Sequence, residues 1–183
     1  MKRAGVPLAI LAVLLIVYMA ARIGGYTRES MFAEDKPTVE LSYVEWEGAK
    51  AASHVMKAVL EQRLGYPCEV IPVGAAAMWQ SVATGDVDGM LAGWLPVTHA
   101  QYYRKMRDRV EDLGPNLDGA RIGLVVPEYV SIDSIDQLPQ NVDRFDGRIV
   151  GIDPGAGIMS KTESAVKAYD LGSFQLVSSS GAA

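Results

Sequence analysis

The sequence is poor in the residues that build disulfides and metal centres. It has one cysteine, Cys68, and two histidines among its 183 residues. A single cysteine excludes an internal disulfide, and the sequence contains neither the Cys-x-x-Cys nor the His-Glu-x-x-His spacing of common zinc sites. We therefore expect no metal site, no cofactor and no metalloenzyme chemistry.

An excess of positive charge is also lacking. The 17 Lys and Arg residues are outnumbered by 22 Asp and Glu residues, which gives a formal net charge of -5. Because binding to a phosphate backbone depends on clustered basic residues, nucleic acid is not an expected partner. Hydrophobic residues make up 49% of the chain and charged residues 21%. That balance is typical of one domain, or two small ones, with a buried core.

The N-terminus carries a long uncharged run. Residues 4–21 follow Lys2 and Arg3 and are mostly Leu, Ile, Val and Ala. As a helix this run would be ~27 Å long, close to the ~30 Å hydrocarbon core of a bilayer. It is therefore a signal peptide or an uncleaved anchor, with a buried terminal helix as a further alternative. We predict a signal or anchor over residues 1–25, a linker over 26–37, and an extracytoplasmic location for the rest.

Strand and helix patterns alternate from residue 39 onward. Alternating polarity predicts a strand over 39–43, and apolar residues at steps of three and four predict a helix over 52–64 that stops at Gly65. Further strands are predicted over 69–73, 87–92, 121–126, 148–152 and 174–177. Further helices are predicted over 76–83, before a break at Gly85, from Pro96 to about Arg107, and over 158–169. Residues 134–138 are predicted to form a single helical turn. The alternation indicates an α/β fold with a largely parallel sheet.

Two tryptophans follow predicted strands, at the edge where open parallel sheets bind ligands. Trp46 follows the first strand, and residues 93–99 (Gly-Trp-Leu-Pro-Val-Thr-His) follow the strand over 87–92. Two indole faces at one edge would bind an alkylated ammonium group by cation–π attraction, worth about 0.5–2 kcal/mol per ring. The alternative is that Trp94 is a core aromatic residue and His99 a solvated residue in the first turn of a helix.

The third tryptophan and the second histidine are assigned structural positions. Trp79 lies beside Met78 in a predicted helix, and we expect it to pack in the core. His54 falls on the polar side of the first helix with Lys50 and Lys57. We expect it to be solvated.

A glycine-rich turn joins a predicted strand to a predicted helix at residues 153–159 (Asp-Pro-Gly-Ala-Gly-Ile-Met). Free N–H groups at a helix N-terminus favour an anion, commonly phosphate or carboxylate. Residues 155–162 nearly fit a P-loop, but Ser160 stands where the second glycine is required, which disfavours a nucleotide. The structural alternative is a turn that only lets the helix pack on the strand.

Together these features describe a site for a zwitterion. Aromatic faces would hold a cation such as trimethylammonium, and the helix start would hold a carboxylate. No motif pairs a nucleophile with a base anywhere in the sequence. We therefore predict binding without catalysis.

Five segments, in order along the chain, resemble the substrate-binding proteins of glycine betaine and proline betaine ABC importers. They are residues 43–47 (Tyr-Val-Glu-Trp-Glu), 83–89 (Ala-Thr-Gly-Asp-Val-Asp-Gly), 93–99, 123–127 (Gly-Leu-Val-Val-Pro) and 151–159 (Gly-Ile-Asp-Pro-Gly-Ala-Gly-Ile-Met). The resemblance runs from about Val39 to the last residue. It implies a two-lobed, hinged α/β fold of the type II periplasmic-binding-protein kind. The hydrophobic helix predicted from residues 4–21 would precede this fold.

Carried over by position, the resemblance implies ligand-binding roles for five residues. Trp46 and Trp94 would form two walls of an aromatic cage around the trimethylammonium group. Gly157 and Ile158 would donate backbone N–H bonds to the ligand carboxylate, and His99 would add a side-chain donor. Closure of the lobes would join the two sites, and the importer's membrane subunits would recognise the closed form.

The resemblance also implies an incomplete second lobe. In this family a third cage tryptophan lies beyond the serine-rich stretch, and the sequence ends before it, so we expect weaker affinity. The first lobe is expected over residues 38–120, and the hinge and partial second lobe over 121–183.

The expected function is extracytoplasmic binding of glycine betaine, or a related quaternary ammonium osmolyte, for delivery to an ABC importer. A membrane-anchored osmolyte sensor and a non-functional truncated remnant are the alternatives. Glu47, beside Trp46, would tilt preference toward choline, whereas the intact turn over 153–159 favours a carboxylated ligand.

Overall fold

The computed structural model describes residues 18–20 and 36–179. Residues 18–20 are helical and exposed, while the rest of the predicted anchor and most of the predicted linker lie outside the described residues. No helix in the described part of the chain is long and apolar enough to cross a membrane. The chain divides into the units Met1–Pro37 and Thr38–Ala183, and the elements that follow belong to the second.

The first half of this unit is built on one β-α-β arrangement. It contains β1 (Val39–Tyr43), α1 (Glu47–Val59) with one further π-helical turn (Leu60–Leu64), β2 (Cys68–Pro72), α2 (Ala75–Thr84) and α3 (Ala100–Met106). Strands β1 and β2 are parallel, with Val39 opposite Cys68 and Tyr43 opposite Pro72.

The second half repeats the arrangement on a smaller scale. A 3-10 helical segment (Ile135–Phe145), kinked at Asn141, precedes β3 (Arg148–Val150), α4 (Gly157–Ala168) and β4 (Gln175–Val177). Strands β3 and β4 are also parallel, with Arg148 opposite Gln175. Parallel pairs joined through helices confirm the predicted α/β class for the described residues.

The core of the first half surrounds α2, which contacts both β1 and α3. Met78 is fully buried and Trp79 is 2% exposed, which confirms the predicted packing position of Trp79. The buried apolar cluster consists of Val44, Ala49, Ala75, Met78, Trp79, Ala83, Ala92 and Met106. A separate cluster in the second half is formed by Leu138, Leu171 and Phe174.

Glycines end two of the helical segments as predicted. Gly65 has φ 69° and follows the π-helical turn, and Gly85 has φ 76° and follows α2. Left-handed backbone of this kind favours glycine because it has no Cβ. Helix α1 begins at Glu47, five residues before the predicted start. Its acidic first turn suits the positive end of the helix dipole.

The predicted strand over 87–92 is wrong in length. It is reduced to a single parallel bridge between Leu41 and Gly89. The Glu40 N–H donates to the Asp88 carboxylate at 2.8 Å, while the Asp88 N–H donates to the Glu40 carbonyl at 2.9 Å. Because a side chain takes the place of a backbone acceptor, the ladder does not extend along the chain.

The predicted buried strand over 121–126 is wrong. These residues have no regular secondary structure, and the Val125 side chain is 93% exposed. A buried parallel strand needs neighbouring strands at its edges and helices over its faces. In the described residues the sheets are two-stranded, so they offer this segment no such place. The predicted turn over 134–138 is part of the longer 3-10 helix.

Candidate functional site

His99 lies at the N-terminus of α3 and is fully buried. Its Nδ1 atom accepts two hydrogen bonds, from the indole Nε1–H of Trp79 at 3.1 Å and from the backbone N–H of Trp94 at 3.1 Å. An imidazole nitrogen that accepts carries no proton, so the proton of the neutral ring is on Nε2. The alternative that His99 is solvated is therefore wrong.

The Nε2 atom of His99 is a buried hydrogen-bond donor without an acceptor among the described residues. Two buried side-chain polar atoms in the described part of the chain lack a hydrogen-bond partner, and His99 Nε2 is one of them, with Ser53 Oγ the other. A buried polar group left without a partner costs about 1–3 kcal/mol. Burial also lowers the pKa of His99 to about 4. The ring is therefore neutral near pH 7 and can offer one N–H to an acceptor.

Aromatic rings surround His99. The Trp46 ring lies 6.0 Å from it between centroids, and the Tyr102 ring lies at 5.6 Å in an edge-on arrangement. Trp46 follows β1 as the residue before α1, with extended backbone. Its indole Nε1–H donates to the Asp153 carboxylate at 3.4 Å, so the turn after β3 contacts the turn after β1.

Trp94 lies at the surface of this region. It is 38% exposed, which excludes the alternative of a core aromatic residue. Trp46 and Trp94 line the same cavity of about 780 Å³, whose walls are otherwise the apolar face of α1, residues 91–98 and residues 116–122. Arg121 is the charged residue of this lining, and His99, Gly157 and Ile158 are not part of it.

The glycine-rich turn brings the start of α4 against the residue before His99. Ala156 has extended backbone, and α4 begins at Gly157 with no side chain capping its first turn. The first N–H groups of an α-helix have no acceptor within the helix. A Cβ at Gly157 would overlap the carbonyl oxygen of Thr98 and would lie 2.6 Å from its Cγ2. Glycine is therefore required for this approach.

The structure gathers four of the five predicted site residues around one point. Trp46, Trp94 and Gly157 each contact His99 or its neighbour Thr98, and Ile158 follows Gly157 in the first turn of α4. Sequence reasoning missed the role of Trp79, whose buried indole N–H needs an acceptor, and also the roles of Tyr102 and Asp153. The Tyr102 hydroxyl donates to the Gly155 carbonyl at 2.7 Å.

The sequence matches a family described as the substrate binding domain of ABC-type glycine betaine transport systems, and the match spans residues 37–183. The chain belongs to this family. Members of the family bind substrates for transporters and are not enzymes.

Known members of the family are similar to the chain in sequence and in structure. The glycine betaine/carnitine transport binding protein GbuC of Listeria monocytogenes is 44% identical over 105 residues, which are 57% of this chain and 35% of the relative. The crystal structure of a glycine betaine/L-proline-binding protein, ProX, from Borrelia burgdorferi is 40% identical with a TM-score of 0.75, and the match covers 78% of this chain and 54% of that one.

A second solved structure was determined with its ligand. Lactococcal OpuAC in its closed form with glycine betaine is 38% identical with a TM-score of 0.75, and the match covers 80% of this chain and 56% of that one. These matches confirm a mixed α/β fold of the type II periplasmic-binding-protein kind. The chain spans about half the length of the solved relatives and about a third of the length of the curated one.

Proposed function

We propose that this chain binds a small quaternary ammonium zwitterion, glycine betaine first, for delivery to an ABC importer. Family membership supports the class of activity, and the lactococcal relative was solved with glycine betaine. The observation that carries the proposal for this chain is the buried, unpartnered Nε2 of His99, whose neighbour Thr98 packs against Gly157 at the start of α4. A donor held there has no structural use within the described residues and suits a ligand carboxylate.

The cation would be held by two indole faces, those of the half-buried Trp46 and the exposed Trp94. Trp46 and Trp94 line one cavity, and cation–π attraction to each desolvated indole is worth about 0.5–2 kcal/mol. Trp46 is also close to His99, with 6.0 Å between ring centroids. Cation and anion subsites would therefore be separated by about one side chain, which fits a short zwitterion better than a long one.

The carboxylate would be held by three donors. The N–H groups of Gly157 and Ile158 lie in the uncapped first turn of α4, where the helix dipole favours negative charge. The Nε2–H of His99 would supply the third bond. We assign the two walls of the cage to Trp46 and Trp94, and the carboxylate site to His99, Gly157 and Ile158.

The proposal includes the setting of the domain. We propose that residues 4–21 act as a signal or membrane anchor and that the binding lobes lie outside the cytoplasm. Residues 38–120 would form the first lobe, and residues 121–183 the hinge and part of the second. The importer's membrane subunits would receive the ligand from the closed lobes.

Calorimetric titration of the full chain tests the proposal. We expect glycine betaine to bind, choline to bind more weakly because it lacks a carboxylate, and ATP to give no heat. Trp94→Ala should weaken betaine binding by ~1–2 kcal/mol, about 5- to 30-fold. Val125→Ala is the control, since Val125 is 93% exposed and is not part of the cavity lining. It should leave the affinity unchanged.

Three results would contradict the proposal. One is the absence of any binding heat with betaine in a chain that unfolds cooperatively. Another is a betaine affinity that Trp94→Ala does not change. The third is ATP binding that Lys161→Ala abolishes, which would favour a P-loop. If choline binds as tightly as betaine, the assignment of the carboxylate site is wrong, whereas the assignment of the aromatic cage is retained.

A further inference from the structure

Trp79 contacts His99 by a hydrogen bond as well as by packing. The Trp79 side chain is 2% exposed and its Nε1–H donates to His99 Nδ1 at 3.1 Å. The two rings meet edge-on, with centroids 6.0 Å apart at 84°. The indole therefore supplies a directed donor to one nitrogen of a fully buried imidazole.

The indole is itself held in place on several sides. The Tyr102 ring is stacked near it, with centroids 6.4 Å apart at 19°, and the Tyr103 ring meets it edge-on at 6.2 Å. At Gly93, a Cβ would lie 3.4 Å from the indole Cζ2. The neighbours thus leave the ring little freedom to turn its N–H elsewhere.

We propose that Trp79 is a positioning residue that fixes the orientation and tautomer of His99, so that Nε2–H is presented to the ligand carboxylate. The identity of the ligand rests on the proposed function, whereas the tautomer of His99 does not. If the proton were on Nδ1, two donors, the buried Trp79 indole and the partly buried Trp94 amide, would face an N–H in place of an acceptor. Turning the ring over would likewise remove the acceptor from both. Either change leaves the buried indole donor unsatisfied, which is unfavourable.

The test removes the donor while it keeps the shape of the side chain. In the full chain, Trp79 is replaced by 3-benzothienylalanine, in which sulfur takes the place of the indole N–H. The side-chain nitrogens of His99 are then observed in long-range ¹⁵N–¹H correlation spectra, which distinguish a protonated from an unprotonated ring nitrogen. Betaine affinity is measured in parallel. Met78→Leu is the matched control, because Met78 is the fully buried neighbour of Trp79 and has no part in the bond.

In the unmodified chain we expect His99 in the Nε2–H form. The sulfur replacement should shift the His99 signals toward a mixture of tautomers and weaken betaine binding by roughly tenfold. The loss should be partial, because the Trp94 amide still donates to Nδ1. Met78→Leu should change neither readout.

The tautomer readout separates this inference from the proposed function. An unmodified chain with the proton on Nδ1, or unchanged His99 signals after the sulfur replacement, would overturn the positioning role. Altered His99 signals in a chain that binds no betaine would support that role and contradict the proposed function. Altered signals with unchanged betaine affinity would show that His99 does not meet the carboxylate, and the inference would be overturned.

Discussion

The Tyr102 hydroxyl donates a hydrogen bond of 2.7 Å to the carbonyl of Gly155. Tyr102 belongs to α3 in the first half of the described fold, and Gly155 belongs to the turn before α4 in the second half. The bond therefore joins the two sides of the candidate site at the glycine-rich turn. It lies next to a second such contact, between the Trp46 indole and the Asp153 carboxylate at 3.4 Å.

Tyr102→Phe should loosen this junction. Removing the hydroxyl leaves the Gly155 carbonyl without its donor and costs about 0.5–1.5 kcal/mol of the joined arrangement. Because betaine would contact both sides, its affinity should fall by roughly 2- to 10-fold. Titration calorimetry measures the change. Tyr103→Phe is the control, since no hydrogen bond of the Tyr103 hydroxyl is found within the described residues. Equal affinities for both variants would show that the bond contributes nothing to binding.

Gly157→Ala should disrupt the start of α4. The added methyl group would overlap the Thr98 carbonyl, and a backbone atom cannot move aside as a flexible side chain can. Overpacking of this kind typically costs about 1–3 kcal/mol, so we expect a lower melting temperature and betaine binding weakened at least about tenfold. Gly155→Ala is the matched control in the same turn, because a Cβ there meets nothing within 4 Å. A Gly157→Ala chain with unchanged melting and binding would contradict the close approach.

The stability of the chain should fall in mild acid partly through His99. Burial lowers the pKa of His99 to about 4 in the fold, from an ordinary value of 6.5. The unfolded chain therefore takes up a proton below about pH 6.5, whereas the folded chain resists protonation until about pH 4. Between these values the free energy of unfolding should drop by up to about 1.4 kcal/mol per pH unit from this group.

Urea unfolding of the full chain at several pH values measures this slope. The rings packed against His99 are those of Trp46, Trp79 and Tyr102, which carry no charge near neutral pH. The Asp153 carboxylate is linked to these rings by the hydrogen bond that it accepts from the Trp46 indole. His99→Gln should flatten the slope, whereas His54→Gln, which removes the exposed histidine, should leave it as in the unmodified chain. The carboxylates are the same in all three proteins, so their contribution to the pH dependence of the free energy of unfolding cancels when the slopes are compared. Equal slopes in all three would rule out a neutral buried His99.

The two glycines that flank α2 should respond differently to the same substitution. Gly85 has φ 76°, whereas Gly74 has φ -72°, and a Cβ at either position meets nothing within 4 Å. Gly85→Ala should cost about 1–2 kcal/mol, because left-handed backbone strains a residue with a Cβ. Gly74→Ala should cost less, roughly 0.5–1 kcal/mol, because alanine is a poorer N-cap residue than glycine but adopts this backbone without strain. Thermal unfolding of the two variants checks the difference, and equal melting temperatures would contradict the helix end at Gly85.

Local signals predicted where helices occur and where two helical segments end. Gly65 and Gly85 stop helical segments because their backbone is left-handed, which is a property of single residues. The strands over 87–92 and 121–126 were predicted wrongly for the opposite reason. Their pairing depends on distant segments, and a carboxylate such as Asp88 can take the place of a backbone acceptor. Pattern alone does not contain that information.

The candidate site shows the same division. Trp46 and the turn at Gly157 could be placed from their positions after β1 and β3, and Trp94 from a predicted strand of which one bridge remains. The single sheet edge expected to join them is not observed, since β1 and β3 belong to separate two-stranded sheets within the described residues. The full burial of His99 and its bond to Trp79 could not be predicted, since the two residues belong to different helices. A buried indole needs an acceptor, but the sequence does not say which of many acceptors is near.

The position of the tryptophans gives the chain a built-in optical probe. The chain has three tryptophans. The Trp79 indole and the Trp94 backbone N–H each donate a hydrogen bond to His99, and the Trp46 ring lies 6.0 Å from it. All three tryptophans therefore contact one histidine, through a side chain or through the backbone. A change in the colour or intensity of their emission when a ligand is added would report binding at the candidate site, without an added label.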